Sequence, residues 1–261
     1  MNLDIFSLAL SQIQVFLLVF VRVSSLFLTA PLIGSRNIPS ITKIGFAFLI
    51  AFIIYPVINK ELVLPSNIAD FTILVAKQVL VGVAIGFSAY MVFVAIQFAG
   101  QIIDLQMGFG IVNVIDPMSN TQVSIIGQFQ FILGMLLFMS INGHHYLIQA
   151  ITDSFRFAPM ASVAISDPSI EKIKELFYNM FMIAFKIAGP ATIALLLTNF
   201  TLGMISRTIP QMNVFIVGLP LNILVGLAAV MISLPILVNM FNTILTSMWD
   251  DIYFIVRNLR S

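Results

Sequence analysis

The sequence predicts an all-α, multi-helix integral membrane protein built of long, kinked helical hairpins. Three observations carry that expectation. The first is charge: only 23 of 261 residues are Asp, Glu, Lys or Arg, 9%, against roughly 25% in an ordinary soluble domain. The second is spacing. Six intervals without a charged residue hold 157 residues, the longest being 42 residues between Arg207 and Asp250 and 36 between Asp116 and Asp153. A spanning helix needs about 20 apolar residues, so several intervals suit helices in lipid. The third is continuity. The apolar runs are unbroken, unlike the short alternating segments of a membrane barrel, and an isolated strand would leave its backbone unsatisfied in lipid. A soluble enzyme is excluded.

Taken in order, six hydrophobic segments emerge: about 12–33, 44–58, 71–103, 123–150, 176–206 and 212–248. They form one membrane-embedded domain over 1–261, because no polar block is long enough to make a soluble one. The third and sixth exceed one upright span, which calls for tilting, kinking or splitting. Gly189-Pro190 in the fifth and Pro220 and Pro235 in the sixth mark expected breaks, where freed backbone groups must face protein or water. The connections are short. Gly34 to Ser40 is a turn, as is the stretch around Pro65-Ser66-Asn67. Asp167-Pro168 reads as an N-cap followed by proline at the first helical position, and the following Glu171-Lys172-Ile173-Lys174-Glu175 reads as a solvated helix end. The N-terminus carries Asp4 where a secretory signal would be basic, so the first segment is expected to be retained in the membrane. Counting basic residues in a six-span arrangement gives six on one side and three on the other, which places both termini in the cytoplasm.

Bulk chemistry removes several function classes. A net charge of +1 makes no case for nucleic acid, which calls for clustered basic residues. With no cysteine, disulfides, thiol catalysis and Cys-ligated zinc are excluded. Adjacent His144 and His145 point about 100° apart on a helix and cannot share a metal as an i, i+4 pair does, so no metal and no cofactor is expected. No GxxxxGK[ST] loop for nucleotide phosphates occurs, and no catalytic constellation stands out.

Three sets of residues remain as candidate sites. Gln97, Gln101 and Asp104 fall at i, i+4 and i+7, one helical face, and polar groups in such a helix should point at protein or water. The segment that follows, Gly108-Phe109-Gly110-Ile111-Val112-Asn113-Val114-Ile115-Asp116-Pro117, is too short to span and unusually apolar for an external loop. It reads equally as a water-excluding constriction or as a hairpin packed on its neighbours. Isolated charges form the third set. Arg22 lies mid-segment and needs a partner, for which Asp104 and Asp116 are candidates; Lys186 is a second possible buried charge, while Lys77 can snorkel. Gly82-x-x-x-Gly86 and the pair Gly127 and Gly134 allow helices to approach closely. Most Met and Phe are bilayer filler, but Met107 and Met118 beside the apolar loop could form a deformable seal.

The same stretches resemble the FliR family of flagellar type III export-gate subunits. The similarity runs through Gln106-Met107-Gly108-Phe109-Gly110, Asn113-Val114-Ile115-Asp116-Pro117 and Gly127-Gln128-Phe129. It continues in Asn142-Gly143-His144-His145, then Arg207-Thr208-Ile209-Pro210-Gln211-Met212-Asn213-Val214-Phe215 and Gly218-Leu219-Pro220-Leu221. Their order and spacing make the likeness specific over nearly the whole chain. It implies a non-enzymatic subunit that joins FliP and FliQ in a helical hetero-oligomer around a conduit for unfolded flagellar proteins and touches FlhB. It also implies a place in the bacterial inner membrane at the flagellar basal body. The family's plug carries over onto Gly108 to Pro117. Much of such an assembly sits above the membrane plane, which puts a simple six-span topology in question. Asn222 stands where a lysine is expected, and Gly189 before Pro190 is a second departure. The alternative is a self-contained secondary transporter coupling ions through Asp104, Arg22 or Lys186, which often shows an inverted repeat; none is visible. A static membrane scaffold is a third reading.

Overall fold

The computed structural model describes residues 2–35, 38–58, 65, 67–110, 124–211 and 213–260, with the backbone alone for residues 2–9 and Phe215. Among these residues there are seven α-helices, one 3-10 turn and no strand. They are α1 (Asn2–Thr29), α2 (Ser40–Ile54) continued by the turn Tyr55–Val57, α3 (Ile68–Met107), α4 (Ile125–Ser140), α5 (Gly143–Phe157), α6 (Asp167–Thr208) and α7 (Val214–Asn258). The all-α expectation holds. Five stretches are long and apolar enough to cross a membrane: Leu10–Thr29, Ser40–Val57, Ile68–Met107, Asp167–Thr208 and Ile216–Asn258. The bent pair α4 and α5 makes a sixth if it counts as one broken span.

Three expectations about local structure need correction. Helices α6 and α7 run unbroken through Pro190, Pro220 and Pro235. A proline removes one N–H from a ladder of forty or so, and neighbouring groups in a membrane helix re-satisfy what it frees. The segment about 123–150, in contrast, is two helices bent by 68°. The break falls at Asn142, whose φ of 59° is left-handed, a conformation asparagine tolerates better than most residues. Gly143 follows because any side chain there would enter the Phe138 ring. Helix α6 starts one residue earlier than expected. Ser166 is its N-cap: its hydroxyl accepts the Ser169 N–H at 3.4 Å and its carbonyl accepts the Ile170 N–H at 3.2 Å. Asp167 is therefore already helical. The Ser166 hydroxyl also donates to the Asn258 carbonyl at 2.6 Å, fixing the start of α6 to the end of α7.

The chain divides into two compact units. The first comprises Met1–Met91, Phe138–Leu176 and Thr246–Ser261. Its core includes a stripe on α1, with Leu18, Val19, Val23 and Leu26 at most 1% exposed. Helix α3 meets α1 through its two glycines. A Cβ on Gly82 would enter the Ser25 side chain and the Arg22 carbonyl, and one on Gly86 would enter the Thr29 hydroxyl. This is small-residue packing that lets backbones touch. Helix α2 adds Phe48 edge-on to Phe16, ring centroids 5.4 Å apart, yet leaves Ile41, Phe52 and Val57 largely exposed.

The second unit comprises Val92–Leu137 and Phe177–Leu245. Phe93 is fully buried and packs edge-on against Phe131 of α4 and Phe241 of α7, at 5.9 and 6.4 Å. Gly134 admits the Phe241 ring and Ile96 to contact distance, 3.4 and 3.2 Å from where its Cβ would stand. Gly100 and Gly127 bring α3 and α4 into backbone contact.

Gly82→Ala forces a methyl into backbone, so we expect a loss of about 1–3 kcal/mol from overpacking. Gly45 of α2 has nothing within 4 Å of a built Cβ, and Gly45→Ala should gain up to about 1 kcal/mol from helix propensity. Thermal unfolding of the purified chain in mild detergent reads both; equal behaviour of the two variants contradicts the α1–α3 contact.

Candidate functional site

The site expected around Gly108 is described only up to Gly110. Ile111, Val112, Asn113, Val114, Ile115, Asp116 and Pro117, with Met118, lie outside the described residues. What the structure defines is how the chain enters and leaves that stretch. Helix α3 ends in a Schellman motif. Gly108 takes φ 91°, its N–H donates to the Leu105 carbonyl at 3.2 Å, and the Phe109 N–H donates to the Asp104 carbonyl at 3.1 Å. Gly108 is therefore a helix stop. Gly110 meets nothing within 4 Å of a built Cβ.

Twenty residues later the chain is caught by the same aspartate. Ser124 is the N-cap of α4: its hydroxyl accepts the Gly127 N–H at 2.8 Å and donates to the Asp104 carboxylate at 2.5 Å. That carboxylate also accepts the Ile126 N–H at 3.1 Å. Two of the orphan amides at the start of α4 are thus satisfied, and a carboxylate at a helix N-terminus is favoured by the helix dipole. Asp104 is 6% exposed and is engaged with protein. Of the other two members of that face, Gln101 is exposed and Gln97 half-buried. The Gln97 carbonyl lies 2.8 Å from where a Gly127 Cβ would stand, so Gly127 is required for the crossing. Met107 is fully buried and lies on Gly226 of α7.

Arg22 is a buried charge, 0% exposed, but its partners among the described residues are neutral. Its Nε and Nη2 donate to Gln78 Oε1 at 2.9 and 2.5 Å, Nη1 to the Ser154 hydroxyl at 3.1 Å, and Nη2 to the Ala158 carbonyl at 3.1 Å. The guanidinium also lies 4.2 Å from the Phe155 ring centroid. Gln78, itself fully buried, is held by donating to the Met160 carbonyl at 3.1 Å. Of the two candidate partners, Asp104 caps α4 instead, and Asp116 lies outside the described residues. An arginine serves here because its planar fork reaches several acceptors at once. Lys186 is exposed, so the expectation that it is buried is also corrected. It sits on α6, where its neighbours Phe181, Met182 and Phe185 are exposed too.

Sequence reasoning missed one cluster. Lys172, assigned to a solvated helix end, bridges Glu175 at 2.9 Å and Asp251 of α7 at 2.8 Å, with its side chain 15% exposed. Tyr253 donates to Asp153 at 2.9 Å across α7 and α5. The signal available was the rise in charge at Asp250-Asp251 and at Asp153, but nothing in the spacing paired them. Among the described residues, no group of three or more His, Asp or Glu side chains could hold a metal ion.

Residues 13–248 match the family described as bacterial export proteins, family 1. The chain belongs to that family. It is 42% identical over 228 residues to the flagellar biosynthetic protein FliR of Bacillus subtilis (strain 168), covering 85% of this chain and 86% of the relative. It is 33% identical over 221 residues to FliR of Aquifex aeolicus (strain VF5), 85% of each chain. Against FliR of Escherichia coli (strain K12) the identity is 30% over 233 residues, 87% of each. The export-family match includes Arg22, Asp104, Gly108 and Ser124, the residues whose geometry is given above.

Gly108→Ala should cost about 1–2 kcal/mol, because a side chain is forced into a left-handed backbone, while Gly110→Ala should have little steric effect. Asp104→Ala should cost about 1–2 kcal/mol through loss of the α4 cap. Detergent melting curves of the three variants test this; Asp104→Ala melting like wild type would contradict a capping role.

Proposed function

We propose that this chain is a membrane subunit of the flagellar protein export gate in the bacterial inner membrane. It helps form and seal the conduit through which unfolded flagellar proteins pass. The observation that carries the proposal is membership of the bacterial export family, with FliR relatives matched over about six-sevenths of the chain. In this reading FliP and FliQ surround the same conduit and FlhB docks nearby. No nucleic acid and no cofactor takes part, and the subunit catalyses no reaction.

Helix length supports an assembly that extends beyond the bilayer. At about 1.5 Å per residue, helices of 40, 42 and 45 residues reach about 60 to 68 Å, twice the ~30 Å hydrocarbon core. Ordinary tilts, up to about 40°, cannot absorb that excess. The apolar surface outside the bilayer then needs protein to cover it.

Gly108 to Pro117 is the proposed seal, with Phe109, Ile111, Val112 and Ile115 excluding water. Gln97 and Gln101, on the helix leading into it, are its polar approach. Support comes from the apolar composition of the segment and from Asp104, which meets both the end of the helix before it and, seven residues beyond Pro117, the start of α4 at Ser124. The transporter alternative loses its coupling groups, since Arg22 is bonded to neutral partners, Lys186 is exposed and Asp104 caps a helix.

Deleting 108–117 in cells carrying the complete apparatus should raise leak of ions and small molecules, measured by dye uptake or loss of potassium. An intact assembly that stays tight after the deletion sinks the sealing role. Failure of the chain, expressed together with the complete apparatus, to co-purify with any other membrane subunit in mild detergent sinks the export-gate reading itself.

A further inference from the structure

Two sets of contacts join α3 to α4 within the second unit, and they act at different places. The first is packing along the helices. Gly100 and Gly127 put the two backbones against each other, Ile96 lies 3.2 Å from a built Cβ on Gly134, and the Phe93 ring meets Phe131 at 5.9 Å. The second is polar and sits at the helix ends. The Ser124 hydroxyl has one proton, and it goes to Asp104 Oδ2 at 2.5 Å while the oxygen accepts the Gly127 N–H at 2.8 Å. The same carboxylate accepts the Ile126 N–H at 3.1 Å.

The packing contacts keep α3 and α4 side by side without help from the serine. The carboxylate also serves one amide of α4 directly, so the bond between hydroxyl and carboxylate is not required for that cap. What the bond adds is location. It fixes the residue at which the chain returns, after nineteen intervening residues, to the turn of α3 from which it left. Fixing both ends of a stretch restricts where the residues between them can reach. A functional element held too loosely at its supports fails even when all its own residues are present.

We infer that the Ser124 hydroxyl, bonded to Asp104, is a positioning group for the seal. It pins the outgoing end of the stretch that carries Gly108 to Pro117. Releasing this one bond frees that end while α3 and α4 stay packed, so the seal loosens in an assembly that is otherwise complete. The inference rests on the sealing role proposed above and adds two residues that control it from outside the segment.

The test measures dye uptake and potassium loss in cells carrying the complete apparatus, together with the amount of assembly recovered in mild detergent. Ser124→Gly and Ser124→Ala both remove the hydroxyl, but glycine costs a helix start little and alanine more. Both should raise leak alike, by roughly tenfold or to the level of the 108–117 deletion, since losing one hydrogen bond to a charged group multiplies a released population by about that factor. The yield of assembly should not change. Ser124→Thr restores the hydroxyl and should recover most of the tightness. Asp104→Asn keeps an oxygen acceptor without its charge and should leak, but less than Ser124→Gly. In a chain already lacking 108–117, Ser124→Gly should add no further leak. Phe241→Leu, a packing change in the same unit, should lower the melting temperature without raising leak. Leak that follows melting temperature across these variants marks a merely structural role and overturns the inference. So does a tight Ser124→Gly in an intact assembly, or leak that adds to that of the deletion. Should Ser124→Gly fail to assemble, Asp104→Asn decides: tightness in an intact assembly overturns the inference. A deletion that stays tight fails the sealing role first, whereas a leaky deletion beside tight hydroxyl variants fails this inference alone.

Discussion

A helix that begins in apolar surroundings has amide donors with no acceptor of their own, and water is not there to supply one. In this chain that constraint is met at α4 by a carboxylate from another helix. Asp104 closes α3 through its carbonyl and opens α4 through its side chain. The chain therefore leaves one helix and rejoins the next at a single residue. Glycine makes this possible twice over. Gly108 accepts the left-handed turn, and the contact between Gly100 and Gly127 brings the two backbones close enough for the carboxylate to reach. The other polar residues follow the same rule. Ser166 starts α6 and holds the end of α7, and Asn142 takes the bend before α5.

Much of the fold was legible in the sequence because its governing variable, uninterrupted apolar length, is one-dimensional. Helical type and the apolar stretches follow from it, while the spacing of Gly82, Gly86, Gly127 and Gly134 marks where helices approach closely. What was not legible depended on three-dimensional placement. Prolines at 190, 220 and 235 looked like breaks because a proline's lost bond is local, whereas its accommodation depends on neighbours. The real bend at Asn142 has no proline at all; it needs a left-handed asparagine and a phenylalanine ring lying against Gly143. Asp104 was correctly marked as a polar group that had to meet protein or water, yet its partner was twenty residues away and uncharged. Arg22 was likewise marked as needing a partner. Its partners among the described residues are dipoles and not an opposite charge.

The apolar surface has a similar lesson. A protein made only for lipid would end its helices near the limits of the hydrocarbon core. Helices α3, α6 and α7 do not, and their exposed leucines, isoleucines and phenylalanines continue past any one bilayer thickness. In the proposed export gate that surface is covered by other subunits as well as by lipid.

The Arg22 cluster also determines which alignment of α1 and α3 is allowed. Apolar helices with small residues at their crossing can slide past one another, since one row of valines and leucines packs much like the next. Moving α1 by a single residue shifts it about 1.5 Å and turns it about 100°. That movement would carry the guanidinium away from Gln78, Ser154 and Ala158 together, stranding a charge and three polar groups inside the unit. It would also take Ser25 and Thr29 off the two glycines of α3. The arginine acts as a key for helix register, and the penalty for misalignment, more than the strength of any one bond, makes the arrangement unique.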